Sequence, residues 1–352
     1  MIAYNIASQM SYRVLASILA LAATALPAVA QAPAARPRAK TAKTWTPPRT
    51  PDGQPDLQGV WLSNSATPLE RPKGLEGRPF LTDAEVAELK KRADRLFKSE
   101  NSDYAAGDNA FLAAWANPEQ YKNPDGAACN SGAMVEREFD NRTSLIVDPP
   151  DGRIPPLTPA AQQKQATAEA AARLPAGPED LSNPLRCITF GVPRLGGNFG
   201  AGPYSYYQIL QAPGYVVLLM EVIHEARIIP LEGRPHLPQN VRQWSGDSRG
   251  RWEGQTLVVD TTNFSPHSNF MGAAENLHLV ERFTRVAPDR INYEITLDDP
   301  TTWTKPWTAM IRLKQTKDLI YEFACHEGNA TNMNGMLKGA RATEKAAAEA
   351  TP

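Results

Sequence analysis

The chain predicts a mainly β protein: an antiparallel barrel or curved sheet, with helical insertions in its first half. Three observations carry this. First, stretches rich in β-branched and aromatic residues recur between 205 and 325, punctuated by Gly, Pro, Asp or Asn. Second, several of them alternate. Ile291, Tyr293, Ile295 and Leu297 point one way, while Asn292, Glu294, Thr296 and Asp298 point the other. Trp307, Ala309, Ile311 and Leu313 repeat the pattern. One dry and one wet face suits an antiparallel sheet, not a parallel one. Third, the stretches follow one another with short turns, as in a meander that closes on itself.

In chain order, residues 1–30 read as a signal peptide. Arg13 supplies a positive start, Val14 to Leu26 an apolar run, and Ala28-Val29-Ala30 a small-x-small cleavage site, placing the cut before Gln31. Met10 offers an alternative start. The run is shorter than the roughly 20 residues that span a bilayer, so no stable membrane anchor is expected after processing. The expected location is periplasmic or extracellular. Residues 31–56, rich in Pro, Ala, Lys and Thr, have no apolar period and predict a flexible tether. Order is expected from the strand Asp56 to Leu62, with its Gly59-x-Trp61.

Thr82 and Glu85 form a capping box that opens a helix over 82–98, and Val86, Leu89, Ala93 and Leu96 fall at helical spacing. A short helix is expected at Asn109 to Trp115. A second long helix, 159–174, starts at Thr158. It is Ala/Gln-rich with little apolar face, hence a surface insertion. The predicted strands are Ser205 to Gln211, Tyr215 to Ile229, Thr256 to Phe264, His278 to Val286, Ile291 to Leu297, Trp307 to Leu313 and Leu319 to Cys325. Ser248 to Gly254 reads as a tight turn. A single domain is expected over 57–341, followed by a tail, 342–352.

The full chain has a net charge of -1. Removing residues 1–30 removes Arg13 and no acidic residue, leaving 36 basic against 38 acidic side chains, a net charge of -2. No Lys/Arg run marks a nucleic-acid footprint. No Gly-rich phosphate loop follows a strand, so a nucleotide site has no support. Of the cysteines, Cys187 and Cys325 border strand-like runs and Cys129 lies in a Gly/Ala/Asn loop. An odd number allows at most one internal bridge, and Cys187–Cys325 is the favoured pair.

All five histidines lie between 224 and 326, near Glu221, Glu225, Asp260, Glu281 and Glu327. Such clustering fits an acid–base or metal site, although no His-x-His, HExxH or CxxC spacing is present. A divalent metal is therefore possible, and no cofactor is required. The acid–base candidates are His224, His278, His326, Glu281 and Glu225. His224, His278 and His326 are expected to converge near one end of the sheet. Glu281 falls among apolar residues and needs a partner, for which Arg227 is the candidate. The alternative is a solvated Glu on an outer face. Candidates for contacting a ligand are Arg227, His236, Arg282, Trp303 and Trp307. The two tryptophans either line a ligand mouth or plug a barrel end. Cys325-His326 cannot easily act as a pair, because neighbours on a strand point to opposite faces.

GRPHLP (233–238), SRGRWEGQTLVVDTTNF (248–264), ENLHLVERFTR (275–285), DDPTTWTKPW (298–307) and YEFACHEGN (321–329) resemble blocks of a large group of secreted bacterial proteins. The resemblance covers roughly 50–341 and implies membership without supplying catalytic residues. The Gly59-x-Trp61 strand before a late meander is also similar to the lipocalin/calycin β-barrels, which implies a lipocalin-like barrel. Small barrels hold one ligand inside. The expected function is thus to enclose a small, partly apolar ligand. The alternatives are a hydrolase or lyase on the same barrel, and a structural or interaction protein of the envelope.

Overall fold

The computed structural model describes residues 45–98, 109–116, 137–170, 174–193 and 205–350. The expected signal peptide (1–30), residues 31–44 of the expected tether and Cys129 lie outside them. Trp45–Pro352 forms one compact unit.

Ten strands make one antiparallel sheet: β1 (Gly59–Leu62), β2 (Ile146–Asp148), β3 (Tyr206–Ala212), β4 (Tyr215–Met220), β5 (Ala226–Pro230), β6 (Asp247–Glu253), β7 (Thr256–Thr262), β8 (His278–Ala287), β9 (Arg290–Asp298) and β10 (Trp307–Thr316). Their order is β5-β4-β3-β1-β10-β9-β8-β7-β6, with β2 on β10. Two meanders, β3–β5 and β6–β10, are thus joined by β1, which pairs with β3 on one side and β10 on the other. The sheet curves until its two end strands meet. Gly250 of β6 sits so close to β5 that a Cβ added there would lie 2.9 Å from the Ile229 side chain.

The alternation read in the sequence decides which side faces in. Ile291, Tyr293, Ile295 and Leu297 are buried, as are Trp307, Ala309, Ile311 and Leu313. They share one core with Trp61, Phe283, Val216 and Leu279. Phe283 stacks on Tyr293 with centroids 4.2 Å apart. Side chains therefore fill the inside of the curved sheet. Trp303 and Trp307 meet edge-to-face at 5.5 Å and are sealed in this core, which corrects their reading as ligand contacts. They plug one end.

Three helices fall where their signals put them. Asp83–Lys98 (α1) begins at the capping box: the Thr82 backbone N–H donates to Glu85 Oε2 at 2.8 Å, and the Glu85 N–H to Thr82 Oγ1 at 3.3 Å. That backbone bond, then Arg78, pulls the Glu85 carboxyl down to about 2. Leu89 and Ala93 join Leu75, Leu81, Phe111 and Phe139 in a second core with Asn109–Trp115 (α2). Pro159–Ala170 (α3) buries no residue, as its polar sequence implies, and Thr158 Oγ1 caps the Ala161 N–H at 3.1 Å.

Several expectations are corrected. The stretch Tyr215 to Ile229 is two strands, broken where Ile223 (φ 56°) and His224 (φ 51°) turn left-handed. No Gly, Pro, Asn or Asp marks that turn, and a β-branched residue with positive φ is rare. Ser248 to Gly254 is mostly strand β6, with the turn confined to its end at Gly254 (φ 63°). Leu319 to Cys325 is not a strand. Its amides are taken by side chains: the Tyr321 N–H donates to Glu221 Oε1 (3.2 Å) and the Phe323 N–H to His224 Nε2 (3.1 Å). The expected tail is helical, since Asn329–Ala350 (α4) runs on past residue 341. Residues 45–56 are ordered: the Gly53 N–H donates to the Thr50 carbonyl (2.8 Å), and Pro55 is buried.

Candidate functional site

The predicted Arg227–Glu281 pair forms, inside the curved sheet. Arg227 donates to both Glu281 oxygens, at 3.0 and 2.5 Å, and to Ser248 Oγ and Thr261 Oγ1 at 3.0 and 3.1 Å. Tyr293 Oη also donates to Glu281. Burial opposes the Arg227 cation, yet the Glu281 carboxylate holds its pKa above the ordinary value. Burial and the Glu281 charge push the Tyr293 hydroxyl far above its own. Glu281 is 0% exposed. The pair therefore joins β5 to β8 inside the curved sheet, with both side chains buried.

The three histidines expected to converge do not form one cluster. His224 accepts the Phe323 amide, and His326 is exposed before α4. Glu225 Oε2 accepts the Thr189 hydroxyl at 3.0 Å, and Arg282 pairs with Glu253 at 2.9 Å on the outer face. His278 instead joins His236. Its Nε2 lies 3.0 Å from Asp260 Oδ2, while His236 lies 2.9 Å from Asp260 through Nε2 and 2.9 Å from Asp247 through Nδ1. The result is a chain His278–Asp260–His236–Asp247 on the outer face of β6–β8. The hydrogen bond from His278 pulls Asp260 below the ordinary carboxylate value. Asp260 in turn raises His278 against its partial burial. A half-exposed imidazole backed by a carboxylate can move a proton, but the clefts below are lined by other residues. Asp247 was hidden by reading its strand as a turn.

Two clefts lie at the rim, where coil segments meet. The first, of about 660 Å³, lies between segment 179–191 and Trp244 with His267. The indole is 37% exposed, and its centroid lies 6.4 Å from the imidazole at a 44° tilt. The second, of about 770 Å³, separates α3 from segment 266–276. Ala160, Ala161, Lys164, Gln165 and Ala168, one face of α3 at helical spacing, line it. His267, Ser268 and Asn269 border both clefts.

The walls are fixed from several sides. Asn183 Nδ2 donates to the His267 carbonyl at 2.9 Å, and Ser268 Oγ to the Trp244 carbonyl at 2.8 Å. Cys187 and Cys325 form the expected disulfide, with Cα atoms 5.9 Å apart, tying segment 179–191 to the stretch before α4. Thr158 holds the start of α3 through the Thr301 carbonyl at 2.8 Å. Neither cleft was visible in the sequence: apart from α3 their walls are aperiodic coil, and Trp244 carries no motif.

Among the described residues no group of three or more His, Cys, Asp or Glu side chains is placed to hold a metal ion, and no helix is long and apolar enough to cross a membrane. The disulfide and the lack of such a helix among the described residues are compatible with a secreted or periplasmic protein. Compared with protein-family models, curated proteins and solved structures, the chain matches none.

Proposed function

We propose that this is a periplasmic or secreted protein that binds a small, partly apolar molecule in the Trp244–His267 cleft. The observation that carries the reading is a half-exposed indole beside an imidazole, facing a wall held by a disulfide and by Asn183. Large apolar surface left exposed in a concave, pre-formed site is what ligand pockets present, and they span roughly 300–1,000 Å³. Phe190 and Leu181 add apolar lining, with Glu179 and Arg186 as polar anchors. Because core side chains fill the sheet's interior, the ligand is assigned to the rim. Export rests on Arg13, the apolar run to Leu26 and Ala28-Val29-Ala30.

The test is a titration of the mature protein with the fluorescent dye anilinonaphthalene sulfonate. Saturable binding is expected, weakened about tenfold by Trp244→Ala, which corresponds to about 1.4 kcal/mol. Binding that does not saturate, or that the substitution leaves untouched, removes the proposal.

A further inference from the structure

We infer that the molecule bound is a neutral oligosaccharide, lying across the 267–269 ridge with sugar units in both clefts; this rests on the binding reading above and names its ligand. The first argument is continuity. The two clefts share His267, Ser268 and Asn269, so together they form one trough with a low sill. The sill is rigid at its backbone. The His267 N–H donates to Ser265 Oγ at 3.2 Å, the Ser268 N–H to the Ser265 carbonyl at 2.9 Å, and the Gly272 N–H to Asn269 Oδ1 at 2.9 Å. Two sites in series on a fixed support suit a ligand built of repeating units, because a unit bound on one side raises the local concentration of its neighbour on the other.

The second argument is chemical. A sugar ring has an apolar C–H face and a rim of hydroxyls. Trp244 offers a flat apolar surface in the first cleft, beside Ser182 and Asn183, and the second cleft adds the amides and hydroxyl of Gln165, Asn276 and Thr301. Asn183, Gln165, Asn276 and Thr301 already bond the His267 carbonyl, Glu169, Thr301 and Asp299, and a purely apolar ligand would strip water from the donors and acceptors left over, at a cost in binding.

The third argument is charge. Beside the shared His267, each cleft presents one cation and one exposed carboxylate: Arg186 with Glu179, and Lys164 with Glu275. The remaining carboxylate, Asp299, is 2% exposed and taken up by the Thr301 and Thr302 hydroxyls at 2.6 and 2.9 Å and by the Thr301 N–H. A polyanion or polycation finds no complement in this trough, and an uncharged chain does.

The experiment is calorimetric titration of the mature protein with cello- and chito-oligosaccharides of two and of six sugars, beside the dye. The six-sugar ligand of at least one series is expected to bind about tenfold more tightly than its two-sugar form. Ala168→Trp fills the second cleft from a helix that buries nothing, and is expected to bring the longer ligand down to the affinity of the shorter. Asn276→Ala, a smaller change in the same cleft, is expected to shrink the advantage. Equal affinity for both lengths, or an advantage that survives Ala168→Trp in a protein of unchanged melting temperature, overturns the two-cleft assignment. Dye binding that depends on Trp244, with no heat from any sugar, overturns the ligand class and leaves the cleft reading standing. Loss of both dye and sugar binding overturns both.

Discussion

Glu281 shows how much a single residue can declare. Its place in Leu277, Leu279, Glu281, Phe283 left two readings, a carboxylate on a dry face with a cation opposite or a solvated one on an outer face, and the structure shows the first. Alternation over Tyr215 to Ile229 put Arg227 on the side away from the apolar residues, but after the break at Ile223 it lies on the buried side of β5, and the two meet with 5% and 0% of their side chains exposed. Removing one partner of a sealed pair leaves the other charge stranded. Glu281→Ala is therefore expected to cost about 3–5 kcal/mol in chemical denaturation, and Glu281→Gln less. A midpoint unchanged by Glu281→Ala would show that the pair carries no such weight. His224 was harder to read. Alternation placed it on the dry face of one long strand, but the left-handed turn at Ile223 sends it outward to the Phe323 amide. That turn is imposed by tertiary contacts, with no turn-forming residue to announce it.

At the scale of elements, the loop between β5 and β6 is held to the sheet by His236, pinned between Asp247 and Asp260 with His278 beside it. Its contribution to stability depends on pH at both ends. His278 is raised above 6.5, so its part is complete below that value and fades as pH climbs through the folded-state pKa. Asp260 is lowered below 3.8, so its part is complete above that value and fades as pH falls through its folded-state pKa. Both are full between about pH 4 and about pH 6.5. His278→Gln should cost more stability near pH 5.5 than near pH 8.5, by a few tenths to about 1 kcal/mol, since the ring is half exposed. Melting curves at the two pH values check this, and an equal loss at both would separate the chain from titration. Elements with a local signal were legible. Thr82 with Glu85 fixed the start of α1 because a capping box satisfies its own orphan amides. β6 was not, since Ser248-Arg249-Gly250 has the composition of a turn. Gly250 is there because the facing β5 side chains leave no room for a Cβ.

At the scale of the whole molecule, the disulfide spans 138 residues and fixes the wall of the first cleft to the C-terminal segment. Cys325→Ser is expected to lower stability by about 2–5 kcal/mol, and hydrogen exchange should show segments 179–191 and 319–325 opening before the sheet. Uniform loosening would place its effect elsewhere. The sheet was legible because one wet and one dry face leave a period in the sequence. The trough was not, because no apolar period runs through the coil segments 179–191 and 266–276 that form much of it.

The position of β1 has a consequence for how the protein comes into being. Val60 lies opposite Thr316 on one side and Gln208 on the other. β1 can take up β3 along one edge once residue 212 has been made, but its other edge stays bare until β10 is complete. Each meander can zip from local hairpins, but the slot between them closes only on a finished chain. Pairings so distant along the sequence are slow, and bare edges invite mispairing between chains. A chain halted before Trp307 would thus be a sticky intermediate, which makes the interval before completion the hazardous part of this protein's life.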